Sequence, residues 1–336
     1  PSAPPRAAEG SAPAGTGRPT PTATATAATP THPARASDTR LSAVRLESMS
    51  HCHPGLHPAQ GDVSARANKV GRMIELGAHV DNTDPIAEAK ARGAQLSQFF
   101  LGDPQGWKAP TVAYAAGADA LRTDAQAAGI GLFVHGPYIV NVASTNNRVR
   151  IPSRKILQQQ VDLAAQIGAR GLIIHGGHVG SGDDVQVGFD NWRKAIDGTD
   201  LKLPVLIENT AGGAGAVART LENIERLWQT IADAEGFENV GFCLDTCHAH
   251  AAGLELDGLV DKVMAITGRI DLVHANDSRD EFGSSADRHA DLGTGFVDPD
   301  GLVQVIVEAQ APVIFETPGA KQGSTADVAW LVSRLG

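Results

Sequence analysis

The chain has 336 residues, with 28 Lys and Arg against 38 Asp and Glu, for a formal net charge of −10. Its three cysteines are too few for a disulfide framework, so a reducing compartment, the cytoplasm, is the expected setting. No run approaches the ~18 consecutive apolar residues of a membrane span, and the opening residues lack the basic, apolar and small-residue order of a secretory signal.

Residues 1–36 are almost entirely Ala, Pro, Thr, Ser and Gly, with too little apolar bulk to offset the entropy of ordering them. Residues 37–72 are more mixed but show no sustained periodicity. Together, 1–72 read as a disordered low-complexity extension, either a true tail or sequence upstream of a translation start at Met73. The stretch "HCHPGLH", with His51, Cys52, His53 and His57, has the composition of a metal cluster but lies within this extension. The extension carries eight basic and four acidic residues, leaving 20 basic and 34 acidic residues in 73–336. Such a balance argues against nucleic acid unless bound cations change the sum.

From Met73 onward, short apolar runs alternate with helical patterns. Strands are predicted at 73–80, 95–101, 131–137, 171–177, 205–210, 241–246, 270–277 and 313–317. Helix-length segments separate them, among them 153–169 and 218–233. In the second, Leu221, Ile224, Leu227, Trp228 and Ile231 follow the spacing of one buried helical face. Strands alternating with helices pair in parallel through right-handed crossovers, and eight such units match the size of a (β/α)₈ TIM barrel. A doubly wound open sheet shows the same alternation.

The strand ends separate the two. Polar residues recur at or near each C-terminal edge: His79, Gln98, His135, His175, Glu208, Asp245, His274 and Glu316. An open sheet strings such ends along a line, whereas a closed barrel brings all eight to one rim, where barrels keep their chemistry. A barrel over 73–336, preceded by the extension 1–72, is therefore the expected fold.

Six rim positions (His135, His175, Glu208, Asp245, His274, Glu316) are imidazoles or carboxylates, and His248, Asp287 and His289 lie just beyond. Nine nitrogen and oxygen donors exceed the needs of one zinc and suit two or three ions, with Mn or Fe also admissible. Four carboxylates brought together without cations would repel one another and suffer a large desolvation cost. Cys243 and Cys247 read as packing, and His178 and His250 as supporting or surface groups. His79 reads equally as pocket lining or as a supporting group.

The motifs "HGPYIVNVAS" (135–144), "LIENTAG" (206–212), "CLDTCHAHAAG" (243–253), "HANDSRDEFGSSADRH" (274–289) and "FETP" (315–318) resemble the endonuclease IV family, in order and from Met73 to the C-terminus. That family comprises metal-dependent apurinic/apyrimidinic endonucleases of base excision repair. The resemblance implies three Zn²⁺ per chain. His135, His175 and Glu208 would hold the first, and Glu208 would bridge to a second held by Asp245, His274 and Glu316. His248, Asp287 and His289 would hold the third. It further implies hydrolysis 5′ to an abasic site in damaged double-stranded DNA, with Glu208 and Glu316 in catalytic roles. The products would be a 3′-hydroxyl and a 5′-deoxyribose phosphate.

By the same resemblance, Tyr138 and Ile139 match the position inserted into DNA, with Asn141 in the same motif. Arg148, Arg150, Arg154, Lys155 and Arg288 are candidate phosphate contacts. One departure stands out: Gln105 in "GDPQGWK" occupies a place where many relatives carry an arginine, which puts one DNA wedge in doubt. A monomer with no membrane association, meeting DNA at the nucleoid, is expected. The rival reading is a divalent-metal sugar isomerase on a related barrel, in which Asp287 and His289 lack an obvious role.

Overall fold

The computed structural model describes residues 74–335. The extension 1–72, the start at Met73 and the His51–His57 cluster lie outside the described residues. In chain order the elements are β1 (Leu76–His79), α1 (Pro85–Arg92), β2 (Leu96–Phe100), α2 (Ala118–Ala128), β3 (Gly131–His135), α3 (Asn147–Gln166), β4 (Gly171–His175), α4 (Val185–Asp197) and β5 (Val205–Glu208). They continue with α5 (Leu221–Ile231), β6 (Val240–Asp245), α6 (Thr246–Ala252), α7 (Leu259–Thr267), β7 (Leu272–His274), β8 (Asp277–Ser278), β9 (His289–Ala290), α8 (Pro299–Ala309), β10 (Val313–Phe315), α9 (Pro318–Lys321) and α10 (Ala326–Leu335).

Eight strands close into a parallel barrel in the order β1-β10-β7-β6-β5-β4-β3-β2, while β8 and β9 form a separate antiparallel pair. Each predicted strand overlaps one barrel strand, and β6 starts one residue earlier than expected, at Val240. The open-sheet alternative is thereby excluded.

Because successive strand residues face opposite sides, each barrel strand sorts its side chains into two sets. Phe242 and Leu244 join the core between sheet and helices, whereas Cys243 joins a second cluster with Leu96, Phe133, Ile173, Leu206, Leu272 and Ile314 inside the barrel. Two residues beyond each member of this inner cluster stands a polar rim residue: Gln98, His135, His175, Glu208, Asp245, His274 or Glu316. An apolar floor thus carries a polar rim, and the register sets His175 beside Glu208 and Asp245 beside His274.

On β1 the floor position is Gly77, and the rim residue two places on is His79. A Cβ at Gly77 would lie 2.5 Å from Leu96 Cβ, 2.6 Å from Leu96 O and 2.7 Å from Ile314 Cδ1. The floor is already filled there.

Two helix boundaries differ from expectation. The helix predicted from 153 begins at Asn147, capped by Asn146 Oδ1 accepting from Arg148 N at 2.9 Å. Pro152 is accommodated inside it, and Ser153 Oγ donates to the Val149 carbonyl at 2.8 Å. The helix predicted over 218–233 is shorter, running Leu221–Ile231 behind a Thr220 cap, but buries the expected Ile224, Leu227, Trp228 and Ile231.

Gly77→Ala overfills the inner layer against backbone as well as side chains. A stability loss of ~1–3 kcal/mol is expected, measured by urea unfolding of both proteins in chelator. Wild-type stability would show that the floor has slack at β1.

Candidate metal centre

The site begins with Asp245. It is the last residue of β6 and also the cap of α6, its Oδ1 accepting from His248 N at 2.7 Å. Strand therefore passes directly into helix, and one carboxylate fixes where His248 stands. The β8–β9 pair delivers Asp287 and His289 from the opposite side; Ser278 lies across from His289 in its register.

The structure brings all nine donors together in three sets. Those sets are His135–His175–Glu208, Glu208–Asp245–His274–Glu316 and His248–Asp287–His289, each with its donor atoms within 4.8 Å of one another. Glu208, fully buried, belongs to two of them. Its Oε2 faces His175 Nε2 at 3.1 Å and His135 Nε2 at 3.4 Å, and its Oε1 faces His274 Nδ1 at 2.9 Å. Asp287 Oδ1 stands 3.1 Å from His289 Nε2 and 3.2 Å from His248 Nε2. Glu316 Oε2 lies 3.4 Å from His274 Nδ1.

Three observations fit cations to these sets. Glu208 Oε2 and His289 Nε2 are buried without a hydrogen-bond partner among the described residues, a costly state for polar atoms. Second, three imidazoles have their other ring nitrogen tied: His135 Nδ1 to Gly136 O, His248 Nδ1 to Asn209 O and His274 Nε2 to Gln98 Oε1, each at 2.8 Å. An N–H donated there leaves the opposite nitrogen as a lone pair facing the cluster, the usual arrangement of ligating histidines. Third, the donor chemistry is imidazole and carboxylate, suited to Zn²⁺ and neighbouring ions.

Without cations, protons take up part of the charge. Burial opposes ionisation of Glu208, yet His175 and His274 hold its carboxyl well below the usual range. For Glu316, burial is likewise outweighed by His274 and His79, and for Asp287 by His248. Burial also resists charging of His248, but Asp245 and Asp287 raise it well above the ordinary imidazole value. His274 is raised against its burial by the carboxylates of Glu316 and Glu208, and His289 against its burial by Asp287 and Asp245. His79 goes the other way, lowered to about 4 by burial despite Glu316.

Cys243 and Cys247 are buried and free. Both fall within donor range, Cys243 of Glu208 and His274 and Cys247 of Asp245 and His289. Burial pushes the Cys243 thiol up to about 12 and the Cys247 thiol higher still, so both keep their protons. Cys243 is part of the apolar floor. His178 holds a loop through its backbone, and His250 Nε2 meets Asp280 O at 3.1 Å, so neither joins the cluster.

A cavity of about 380 Å³ opens above the donors, lined by His135, Tyr138, His175, Arg288, Glu316 and Lys321 among others. Tyr138 stands at its edge, 49 % exposed, with its ring centroid 5.1 Å from Phe100 and 5.9 Å from His175. Ile139 is half-buried beside it. Asn141 requires a correction: it is buried, its Nδ2 donating to His178 O at 2.8 Å and its Oδ1 accepting from His178 N at 3.2 Å. With both ends of its amide engaged, it joins two loops rather than facing DNA.

The arginines also divide. Arg150 donates to Ser144 O and Thr145 O, and Arg154 to Asn191 O, so both brace the backbone. Arg148 and Lys155 are exposed, as is Gln105. Arg288 pairs with Asp280 at the cavity rim.

Several supporting residues escaped the sequence reading. Asn209 donates to Asp245 O and accepts from Asp245 N, at 2.9 and 2.7 Å. Asn276 donates to Asp245 Oδ2 at 2.7 Å and accepts from Glu316 N at 2.9 Å. Arg279 and Lys321 line the cavity. Asn209 and Asn276 each lie one or two positions past a donor, and that adjacency was the available signal.

Fold and rim together define a xylose isomerase-like TIM barrel, and the model of that family matches residues 86–334. Within this class the chain belongs to the endonuclease IV family. Probable endonuclease 4 of Mycobacterium tuberculosis is 54% identical over 264 residues, spanning 78% of this chain and 99% of the relative. That of Mycobacterium leprae is 52% identical over 259 residues, spanning 76% and 97%. The crystal structure of endonuclease IV from Thermus thermophilus superposes with a TM-score of 0.64 at 28% identity, over 77% of this chain and 97% of that one. A D-tagatose 3-epimerase-like protein shares the fold at 18% identity, with a TM-score of 0.60 over 78% of this chain and 96% of its own.

Two outcomes are expected. In chelator, thermal stability falls as pH rises above about 6.5, because His248, His274 and His289, raised on folding, contribute fully only below the unfolded value. With zinc the dependence reverses, since ligation requires neutral imidazole; parallel melting curves across pH 6–9 check the sign. Cys243→Ser and Cys247→Ser should each retain the wild-type metal content by elemental analysis, and loss of an ion would make that thiol a ligand.

Proposed function

We propose that this chain is an apurinic/apyrimidinic endonuclease that hydrolyses the phosphodiester 5′ to an abasic site with three zinc ions. The observation that carries the reading is the third donor set, His248–Asp287–His289, standing beside two sets that share Glu208. A sugar isomerase needs one or two metals and leaves that third set without work. Family membership points the same way: the relatives from Mycobacterium are named probable endonuclease 4.

His135, His175 and Glu208 would hold one zinc, Glu208 with Asp245, His274 and Glu316 a second, and His248, Asp287 and His289 the third. Bound there, the ions supply Lewis acidity for activating the attacking water and neutralising charge on the leaving 3′ oxygen. Glu316, with its Oε1 tied to Gln98 at 2.7 Å, presents Oε2 to the cluster and orients the water for in-line attack. The products are a 3′-hydroxyl and a 5′-deoxyribose phosphate, and no covalent enzyme intermediate is required.

Damaged duplex reaches the cluster through the cavity. Tyr138 and Ile139 at its mouth enter the gap left by the missing base, where the extruded sugar has little stacking to lose. Arg148, Lys155 and Arg288 supply positive charge toward the backbone; Asp280 sets the direction of Arg288. The barrel is acidic, so attraction to DNA is local to this face.

Zinc-loaded protein incubated with a duplex containing one abasic analogue should cut on its 5′ side. Glu208→Gln should lower kcat/KM by about three orders of magnitude, the rate equivalent of several kcal/mol of metal stabilisation. Absence of incision, with aldose–ketose turnover in Mn²⁺ or Mg²⁺, would establish the isomerase instead.

A further inference from the structure

Gln98 stands in the rim beside the donors and holds no position in the donor sets. It is fully buried in β2, on the inward face, two residues beyond the floor residue Leu96. Both ends of its amide bond to residues at the site. Oε1 accepts from His274 Nε2 at 2.8 Å, while Nε2 donates to Glu316 Oε1 at 2.7 Å and faces His79 Nδ1 at 3.1 Å.

Chemistry fixes the amide orientation. Turned over, its oxygen would meet the Glu316 carboxylate, acceptor against acceptor, and its NH₂ would meet the nitrogen that now donates. In the observed orientation Gln98 obliges His274 to carry its proton on Nε2, leaving the Nδ1 lone pair toward Glu208, Asp245 and Glu316. The same amide engages Glu316 Oε1 and leaves Oε2 for the cluster. Two donors of one set, contributed by β7 and by the residue after β10, are thus aligned by one side chain from β2.

We propose that Gln98 is a positioning residue for the Asp245–His274–Glu316 zinc, setting the tautomer of His274 and the rotation of Glu316 together. The inference rests on the three-zinc reading of the rim. It assigns to Gln98 a selective hold on one ion, since the donors its amide bonds, His274 and Glu316, both belong to that set. DNA cannot touch a fully buried side chain, so the effect belongs in metal retention and kcat, not in KM.

The test compares wild type with Gln98→Met, which keeps the length and removes both hydrogen-bonding functions, and Gln98→Glu, which keeps an acceptor for His274 and loses the donor to Glu316. Zinc per chain and the release rate of each zinc into a chromogenic chelator are read for all three proteins, with unfolding in chelator as the folding control. Expected is one zinc of three released about 10–100-fold faster in both variants, the typical effect of removing a partner of a metal-bound histidine. The other two zincs keep wild-type rates, and kcat on an abasic duplex falls with KM unchanged. Release of all three zincs at wild-type rates overturns the proposal, as does equal acceleration of all three, which would mark Gln98 as packing alone. Should Gln98→Met not fold, Gln98→Glu decides by the same criterion. Wild type holding fewer than three zincs would overturn the three-zinc reading itself, and this inference with it.

Discussion

The two-residue repeat of a strand closed into a barrel is the constraint on which the rest of the structure depends. Closure leaves no free edge and turns one face of every strand toward a common axis. Each inward apolar residue then commits the position two residues later to the same interior, one layer higher. Leu206 below Glu208, Cys243 below Asp245 and Leu272 below His274 are three cases of a single rule. A dry floor and a polar rim follow from the same geometry, and the floor gives the rim a rigid, water-poor base.

That base makes the electrostatics severe. Carboxylates and imidazoles buried together cannot be left to solvent, and their charge must be met by protons or by cations. Among the described residues a frame of neutral amides holds the donors in place. Asn209 and Asn276 hold Asp245 from two sides, and Asn276 also takes the backbone of Glu316. Gln98 links His274 to Glu316. Amides suit this work because they donate and accept without adding charge to a crowded centre. Preorganisation of the donors lowers the reorganisation required when an ion binds or a phosphate arrives.

The sequence was legible where the information is local. Strand length, alternation and a polar residue at each strand end were enough for the barrel and for bringing six of the nine candidate donors to one rim. It was less legible where local chemistry has two outcomes. Asn141, read as a DNA contact, engages the backbone of His178, and Arg150 and Arg154 brace loops instead of lying free for phosphate. An exposed arginine and one folded back onto a carbonyl have the same spelling. The helix expected from 153 likewise starts earlier, at Asn147, behind the Asn146 cap.

The sequence by itself determined the architecture and the inward-facing layer, and it named the candidate donors, because hydrophobic periodicity and strand-end chemistry are written within a few positions. Only the tertiary structure decided which ring nitrogen each tied histidine presents, and which partners the Gln98 amide takes. Gln98 lies 218 residues from Glu316 and 176 from His274 along the chain. No local pattern spans such separations; barrel closure alone brings those atoms within hydrogen-bonding distance.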